Sequence, residues 1–246
     1  MPFNLFKSKP TPKPIFEVLG TDMHLHLIPG VDDGSKSVDE SIECMKTLTS
    51  LGFKNIILTP HFQYPRFPNK EYDIQRRYAE LGKQAAEAGV ELNLAGIAGE
   101  YRIDTGFQAR LDDPQFLCIK DKTVLVEFSL NHPMMGVDEM LFDMQMKGYD
   151  VILAHPERYA YLAINGDRYQ HFKDAGVYFQ CNILSISGFY GAECRRKALD
   201  IIERGWCEYL GTDCHNTIYA RALVEASNDH TVQKIIAKHK FLNSEL

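Results

Sequence analysis

The segment TDMHLHLIPGVDDGSKS, residues 21–37, carries the signals of a strand, a loop and the start of a helix. TDMHLHL has the composition and length of a strand. Ser37 and Glu40 stand three residues apart and form a capping box, which predicts a helix that begins after Ser37 and runs to Gly52. The segment therefore predicts one strand–helix unit, with histidines near the end of its strand and aspartates in its loop.

Strand-like and helix-like segments alternate along the rest of the chain. Further strands are predicted over 53–61, 90–101, 122–129, 149–158, 177–185 and 206–216, and further helices over 69–89, 137–148, 167–176 and 192–205. Successive strands that are separated by helices pair in parallel, through right-handed crossovers. Seven such units close most naturally into a barrel, so we expect an α/β fold of the TIM-like (β/α)7 type.

The length of 246 residues and the apolar content of 45% suffice for one complete core. We therefore expect a single domain over residues 20–246, preceded by a flexible tail over residues 1–19. Lysines and prolines alternate in this tail between Lys7 and Pro14, which favours an extended, solvated chain. The alternative is a weak contact between its apolar residues and a membrane surface or a partner.

Charge and cysteine content exclude several classes of protein. The chain has 27 basic and 33 acidic residues, a net charge of −6 and no basic stretch, so nucleic acid is not expected as a partner. Its six cysteines form no C-x-x-C pair, which favours reduced thiols and a cytoplasmic location. Because there is no signal-peptide pattern and no apolar run of about eighteen residues, we expect neither export by that route nor a membrane span.

Histidines and carboxylates stand near the C-terminal ends of the predicted strands. In a parallel barrel these ends meet on one face, where the active sites of such barrels are built. His24 and His26, like Asp213 and His215, lie two residues apart, so each pair points to one side of its strand. Asp33 lies in a loop over the same face. The candidate metal ligands are His24, His26, Asp33, His61, Glu100, Glu127, His155, Asp213 and His215.

An isolated H-x-H pair is more often an ordinary polar or core feature than a metal site. Convergence of nine such residues changes this interpretation, because two bare carboxylates about 4 Å apart repel by roughly 4 kcal/mol at an effective dielectric near 20. Cations remove that repulsion. Imidazole and carboxylate ligands without thiolate suit divalent manganese, iron or zinc, and nine ligands exceed the need of one ion. We therefore expect two or three metal ions.

The ordered motifs DMHLHL, VDDGSKS, TPHF, AGEYR, VEFS, AHPER and GTDCHN resemble those of the polymerase-and-histidinol-phosphatase (PHP) superfamily. They are most similar to the manganese-dependent bacterial protein-tyrosine phosphatases of capsule and exopolysaccharide systems, over residues 21–216. The resemblance implies a distorted seven-stranded barrel and hydrolysis of phosphotyrosine on a protein, with a membrane-associated bacterial tyrosine kinase as the expected partner. It also implies manganese as the metal, with iron, cobalt and zinc as alternatives.

The resemblance further implies a role for each ligand. One ion would be held by His24, His26, Glu100 and Asp213, a second by Glu100, Glu127 and His155, and a third by Asp33, His61 and His215. Arg158 of AHPER would face the substrate phosphate. The family usually has a second phosphate-binding arginine after GTDCHN, often in an R-x-P setting, whereas this chain continues TIYARALVEA. Arg221 is the nearby candidate, and the alternative is an arginine on a helix surface.

The expected chemistry is in-line attack on phosphorus by a metal-bridging hydroxide. A cysteine nucleophile is not expected, because none of the six cysteines has an arginine six positions later. The loop after His61 is expected at the rim of the site, where aromatic and guanidinium groups would hold a phenyl ring; packing of this loop on the barrel is the alternative. The rim candidates are Phe62, Tyr64, Arg66 and Phe67.

Three other functions compete with a tyrosine phosphatase. The nearest is a histidinol-phosphate or other small-molecule phosphatase of the same superfamily. An amidohydrolase also begins with H-x-H on a barrel, but it usually needs a lysine and a histidine where this chain has Glu127 and Asn182. The third is a non-catalytic module that binds phosphotyrosine, and the complete ligand set argues against it.

Overall fold

Parallel strands and helices follow one another along the structure, a computed structural model that describes residues 10–112, 115–163 and 166–246. The strands are β1 (Thr21–Asp22), β2 (Asn55–Leu58), β3 (His61–Phe62), β4 (Asn93–Ile97), β5 (Glu100–Arg102), β6 (Thr123–Glu127), β7 (Asp150–Ala154), β8 (Tyr178–Asn182) and β9 (Cys207–Gly211). The helices are α1 (Val38–Ser50), α2 (Glu71–Glu87), α3 (Phe107–Asp112), α4 (Val137–Met146), α5 (Asp167–Asp174), α6 (Ile183–Ser187), α7 (Ala192–Glu203), α8 (Thr217–Ala226) and α9 (His230–Lys238). Short 3-10 turns cover Ile15–Val18, Pro156–Arg158 and Leu242–Glu245.

All strand pairs are parallel, in the orders β1-β2-β4 and β3-β5-β6-β7-β8-β9. The second sheet continues the first, because β3 follows β2 and β5 follows β4 after breaks of two residues. Backbone hydrogen bonds cross these breaks, from Ala98 N to Leu58 O at 2.8 Å and from Glu100 N to Pro60 O at 3.0 Å. β2 and β3 together therefore form one strand position of a single sheet, and β4 and β5 together form another.

The chain after β1 closes this sheet into a barrel. Leu25 forms a parallel bridge with Cys214, and its carbonyl accepts the backbone N–H of Thr59 at 2.9 Å. His26 N donates to Cys214 O at 2.9 Å on the other side. The first strand thus lies between the second and the last, and the predicted barrel with seven strand positions is confirmed.

Two predicted strands are less regular than expected. The first is a ladder strand only at Thr21–Asp22, and the third is divided between Ile97 and Glu100. At the division, a Cβ on Gly99 would lie 2.6 Å from the Tyr101 ring and 2.7 Å from the Phe62 ring. The backbone approaches these rings closely at this point, which only glycine permits.

Successive side chains of each strand point to opposite faces of the sheet, so the apolar side chains form two layers. Leu125, Ile152 and Tyr209 belong to a cluster that fills the barrel interior, whereas Val124 and Leu153 belong to the larger core beneath the helices. Both faces of these strands are therefore apolar, as expected for a parallel barrel. Glu127 lies two residues after Leu125 and therefore points to the same interior face. The barrel interior thus changes from apolar to charged at the C-terminal ends of the strands.

Residues 10–19 differ from the flexible tail that was predicted over 1–19. Phe16 is fully buried and stacks on Phe53 with ring centroids 5.3 Å apart. Asn228 Nδ2 donates to Thr11 O at 2.9 Å. The domain thus includes these residues, because Phe16 supplies core surface that residues 20–246 leave uncovered. Residues 1–9 of the predicted tail lie outside the described residues.

All six cysteines are free. Among the described residues, no helix has both the length and the apolar character that a membrane span requires.

We predict that Phe16→Ala lowers the free energy of unfolding by about 3–5 kcal/mol, because it removes a buried ring and leaves a cavity. Urea denaturation followed by circular dichroism measures the change. Val18→Ala, at a position of the same turn that is 62% exposed, is the control and should change stability by at most about 0.5 kcal/mol. Equal stability of Phe16→Ala and wild type would contradict the place of this segment in the core.

Candidate metal centre

All nine predicted ligands lie together at the C-terminal mouth of the barrel. The deepest are His24, His26, Glu100 and Asp213, whose side chains are at most 1% exposed. His61 and His215 are 12% exposed, and Asp33 is outermost at 37%. The set therefore extends from the barrel interior to the rim.

The innermost group is built from the H-x-H pair of the first strand. His24 Nε2 and His26 Nε2 are 3.2 Å apart, and each lies 3.3 Å from Glu100 Oε2. Asp213 Oδ1 is 3.6 Å from His24 Nε2 and 3.4 Å from His26 Nε2. These four side chains, which the resemblance assigns to one ion, lie close together. Within the described residues, however, the groups of donor atoms that could hold an ion join His24, His26 and Asp213 without Glu100.

Glu100 connects this group to its neighbours. Its Oε1 lies 2.9 Å from His155 Nε2, and its Oε2 lies 2.9 Å from His61 Nδ1. Glu127 Oε1 is 3.4 Å from the same nitrogen of His61. Glu100 is therefore placed between several groups, as its expected bridging role requires.

The outer group differs from the expected set in the place of His61. Asp33 Oδ1 lies 3.4 Å from His61 Nε2 and 3.5 Å from His215 Nε2, but among the described residues Asp33 belongs to none of the groups that could hold an ion. His61 also belongs to the group with Glu100 and Glu127. The four groups whose donor atoms lie close enough to hold an ion are His26–His61–His215, His24–His26–Asp213, His24–Glu100–His155 and His61–Glu100–Glu127.

Several buried polar atoms of this site form no hydrogen bond of good geometry within the described part of the chain, although most of them lie close to charged neighbours. They are Asp33 Oδ1, His61 Nδ1, Glu100 Oε2, Glu127 Oε1 and His155 Nδ1. An unpaired buried polar atom costs about 1–3 kcal/mol, more where it is charged. Divalent cations would remove this cost, and the imidazole and carboxylate donors suit manganese, iron or zinc. The residues present therefore fit a metal cluster.

The surrounding histidines favour the ionised carboxylates that cations need. Burial alone would raise the pKa of Glu100, but His24 and His61 hold that pKa well below its ordinary value. Burial would likewise raise the pKa of Asp213, which His215 and His24 hold well below its ordinary value. The ionised form of both carboxylates is thus favoured despite their burial.

Residues behind the histidines orient their rings. His24 Nδ1 donates to Gln180 Oε1 at 2.6 Å, and His26 Nδ1 donates to Asp32 Oδ2 at 2.9 Å, which leaves both Nε2 atoms free to face the centre. A Cβ on Gly34 would lie 2.1 Å from His26 O, so only glycine lets the Asp32 loop fold this closely.

Strand β8 continues this support, which the sequence analysis did not identify. Gln180 Nε2 donates to Asn182 Oδ1 at 3.0 Å, and Asn182 Nδ2 donates to Asp213 Oδ2 at 2.8 Å. The signal was present, because Q-x-N in an otherwise apolar strand has the same period of two as H-x-H.

Two ligand candidates have strained backbones. His155 and Asp213 adopt positive φ values of 34° and 52°. Such conformations cost a non-glycine residue about 1–3 kcal/mol and often occur at functional sites. At His155 the backbone turns from β7 into the 3-10 turn, which brings Arg158 back over the donor atoms.

A cavity of about 240 Å³ lies above the donor atoms, and Arg66, Arg102 and Arg158 are in its wall. Arg158 Nη1 donates to Asp213 Oδ2 at 2.6 Å, and its guanidinium carbon lies 4.4 Å from the centre of the Tyr190 ring. Arg102, which the sequence analysis missed, has its Nη1 3.0 Å from Glu127 Oε1. Three guanidinium groups are thus present where an anion would enter.

The rim candidates separate into buried and exposed residues. Phe62 is 3% exposed and stacks on Tyr101, so its expected place at the rim is wrong. The period of two in β3 explains this, because His61 faces the centre and Phe62 faces the core. Tyr64 is 65% exposed, and Phe67 stacks on His61 with ring centroids 5.6 Å apart.

Arg221 lies away from the cavity. It is exposed on α8, whereas Tyr219 of the same helix is in the cavity wall. Two residues correspond to about 200° around a helix, so these two side chains point in nearly opposite directions. The structure gives no support to the phosphate-binding role expected for Arg221.

Curated relatives of similar length match most of the chain. The tyrosine-protein phosphatase YwqE of Bacillus subtilis is 28% identical over 227 residues, which cover 92% of this chain and 86% of YwqE. The tyrosine-protein phosphatase CpsB of Streptococcus pneumoniae is 27% identical over 224 residues, covering 88% of this chain and 91% of CpsB.

Solved structures with the same fold include one from a study of YwqE of Bacillus subtilis and CpsB of Streptococcus pneumoniae, which are metal-dependent tyrosine phosphatases. Its superposition on this chain has a TM-score of 0.76 at 24% sequence identity. The match covers 89% of this chain and 91% of the solved chain. The lactonase Lmo2620 of Listeria monocytogenes has a TM-score of 0.53 at 12% sequence identity, and the match covers 92% of this chain and 94% of the lactonase chain.

The family model for capsular polysaccharide synthesis proteins CpsB/CapC matches residues 20–240. This match spans nearly the whole barrel and every predicted ligand, and it confirms the resemblance to capsule phosphatases found in the sequence. The chain therefore belongs to the CpsB/CapC family of capsular polysaccharide synthesis.

Proposed function

We propose that this chain hydrolyses phosphotyrosine on proteins, with two or three divalent metal ions and a water nucleophile. The observation that carries the proposal is the convergence of nine imidazole and carboxylate side chains beneath a cavity lined by arginines. The tyrosine phosphatases among its relatives support the substrate class.

The proposed ligand assignment is the one that the family resemblance implies; the four groups of donor atoms share residues with it but divide them differently. His24, His26, Glu100 and Asp213 hold the first ion, Glu100, Glu127 and His155 the second, and Asp33, His61 and His215 the third. Manganese is the proposed metal, with iron, cobalt and zinc as alternatives. When bound, such ions act as Lewis acids, lower the pKa of water and neutralise charge on a phosphoryl group.

The protein itself supplies phosphate binding and shape. Asp213 and the Tyr190 ring hold the Arg158 guanidinium, whose remaining N–H groups can donate to phosphate oxygens in charge-assisted hydrogen bonds. Tyr219 in the cavity wall offers an aromatic surface for a phenyl ring. Phe67 lies outside this wall, where it stacks on His61. Water is the proposed nucleophile, because the cavity wall of the described residues contains no cysteine.

The proposed substrate is a phosphorylated membrane-associated tyrosine kinase of polysaccharide export, which would place the protein in the cytoplasm. Membership of a capsular polysaccharide synthesis family supports this partner, and the six free cysteines agree with a reducing compartment. Comparing hydrolysis of phosphotyrosine peptides with that of histidinol phosphate tests the substrate class, and preference for histidinol phosphate would contradict it.

Removal of metal should abolish activity, whereas alkylation of thiols should leave most of it. The reason is that the proposed nucleophile is water and four of the cysteines are buried. Phosphate release from a phosphotyrosine peptide is measured after treatment with a chelator or with iodoacetamide, and again after metal is restored. Full activity after exhaustive chelation would contradict the mechanism.

Glu100→Ala should lose about two metal ions per chain, whereas Asp33→Ala should lose about one, because Glu100 lies among several donor groups and Asp33 serves only the outermost. Metal is counted by mass spectrometry after desalting. Glu193→Ala, which removes a carboxylate that is 60% exposed on α7, is the control and should retain all metal. Wild-type metal content in Glu100→Ala would overturn the cluster.

Arg158→Ala should weaken catalysis without loss of metal, because the guanidinium contacts a ligand but carries no donor atom for a cation. We expect kcat/KM for a phosphotyrosine peptide to fall by about 10- to 100-fold, the loss of one charge-assisted hydrogen-bonding group. Arg158→Lys should recover only part of this, since it lacks the planar fork of donors. If Arg158→Ala lost metal, its proposed role would be wrong.

A further inference from the structure

The three arginines of the cavity differ in how firmly they are held. Arg158 and Arg102 have side chains that are 19% and 17% exposed, and each pairs with a buried carboxylate of the metal site. Arg66 is 61% exposed and pairs with Asp33, itself 37% exposed, through its Nη2 at 3.1 Å from Asp33 Oδ2. Of the three arginines, Arg66 therefore has the ion pair that is most exposed to solvent.

Arg66 and Arg158 stand at the two ends of one row of polar groups. From Arg158 the row passes to Asp213 at 2.6 Å and then to His215, 3.4 Å from Asp213 Oδ1. From His215 Nε2 it passes to Asp33 at 3.5 Å, which in turn contacts Arg66. Both guanidinium groups also lie in the wall of the same cavity of about 240 Å³. An anion bound above this row has one arginine on either side.

The ion pair of Arg66 can be exchanged at low cost. An exposed pair contributes little to stability, because water solvates both partners when they separate. A phosphate dianion offers a guanidinium two negative charges and a geometry suited to paired hydrogen bonds. Replacing Asp33 by such a phosphate is therefore favourable for Arg66, whereas Arg102 would leave the buried Glu127 unpaired.

The guanidinium group of Arg66 is already held beside the candidate metal site. Its central carbon lies 4.6 Å from the centre of the Phe67 ring, and Phe67 stacks in turn on His61 with an angle of 8° between the rings. This stack connects the loop between β3 and α2 to His61. Arg66 is therefore in place to meet an anion in the cavity that it lines.

We propose that Arg66 is the second arginine that binds the substrate phosphate, from the end of the row opposite Arg158. The inference rests on the proposed phosphatase function and deepens it. It assigns Arg66 to the phosphate rather than to the phenyl ring, and it gives the role expected of Arg221 to a residue on a different loop.

The test measures binding of inorganic phosphate to the metal-loaded protein by titration calorimetry. Arg66→Ala should weaken phosphate binding by about 10- to 100-fold, the loss of a hydrogen-bonded charge pair, and Arg66→Lys should recover part of it. Arg221→Ala is the matched control, an exposed arginine outside the cavity wall, and should bind phosphate as wild type does. Metal content should be unchanged in all three variants.

Steady-state kinetics on a phosphotyrosine peptide supply the second readout. If Arg66 binds phosphate, KM and the inhibition constant of inorganic phosphate should rise together in Arg66→Ala. A higher KM with unchanged phosphate binding would assign Arg66 to the ring and overturn the proposal, as would loss of metal from this variant or an equal defect in Arg221→Ala. A wild-type protein that hydrolyses no phosphotyrosine would refute the proposed function instead, and calorimetry would still report whether Arg66 binds phosphate.

Discussion

Burial of ionised carboxylates among imidazole rings is the constraint on which this structure depends. Glu100 is fully buried, and both of its oxygens lie within 3.3 Å of ring nitrogens. In a low-dielectric interior such a carboxylate is stable only if positive charge surrounds it. Without metal, protonated histidines supply that charge; bound cations would take their place, because an imidazole binds a metal only in its neutral form. Glu100 Oε2 and Glu127 Oε1, which accept no hydrogen bond of good geometry, are available to such cations. The apolar cluster that fills the barrel interior lies below these groups, and the arginines of the cavity wall lie above them. Together they keep these groups in one place.

The closed barrel is what allows ligands so distant in sequence to meet. His24 comes from the first strand and Asp213 from the chain after β9, and they are joined by the backbone hydrogen bond from Asp213 N to His24 O at 2.8 Å. Without closure, these two residues would lie at opposite edges of an open sheet. The strained backbones of His155 and Asp213 fit the same account, because a rigid ring of paired strands can hold conformations that an isolated loop would relax.

The sequence predicted the barrel and the meeting of the nine candidate ligands at its mouth, because both follow from period-two patterns in strands that end on one face. Contacts made by loops and side-chain ends follow no such pattern. Phe62 was placed at the rim because its loop was treated as irregular, whereas β3 turns it into the core. Phe16 was placed in a flexible tail because the composition around it is rich in lysine and proline, which does not reveal one buried ring. Arg102 and the distances that join Arg66 to Asp33 depend on the fold of the whole mouth.

The charged groups of this site differ in solvent exposure, and this difference suits them to different roles. His24 and His26 have their second ring nitrogens fixed by Gln180 and Asp32, so displacing either ring would leave buried partners unpaired, at a cost of about 1–3 kcal/mol each. Such groups suit ions that remain bound between turnovers. A phosphate, by contrast, must enter and leave in every cycle, and the groups that receive it have to exchange partners repeatedly. Water compensates that exchange only near the surface, which is where Asp33 and Arg66 lie. In the proposed function, the gradient from the buried Glu100 to the exposed Arg66 would therefore separate lasting metal binding from repeated substrate binding.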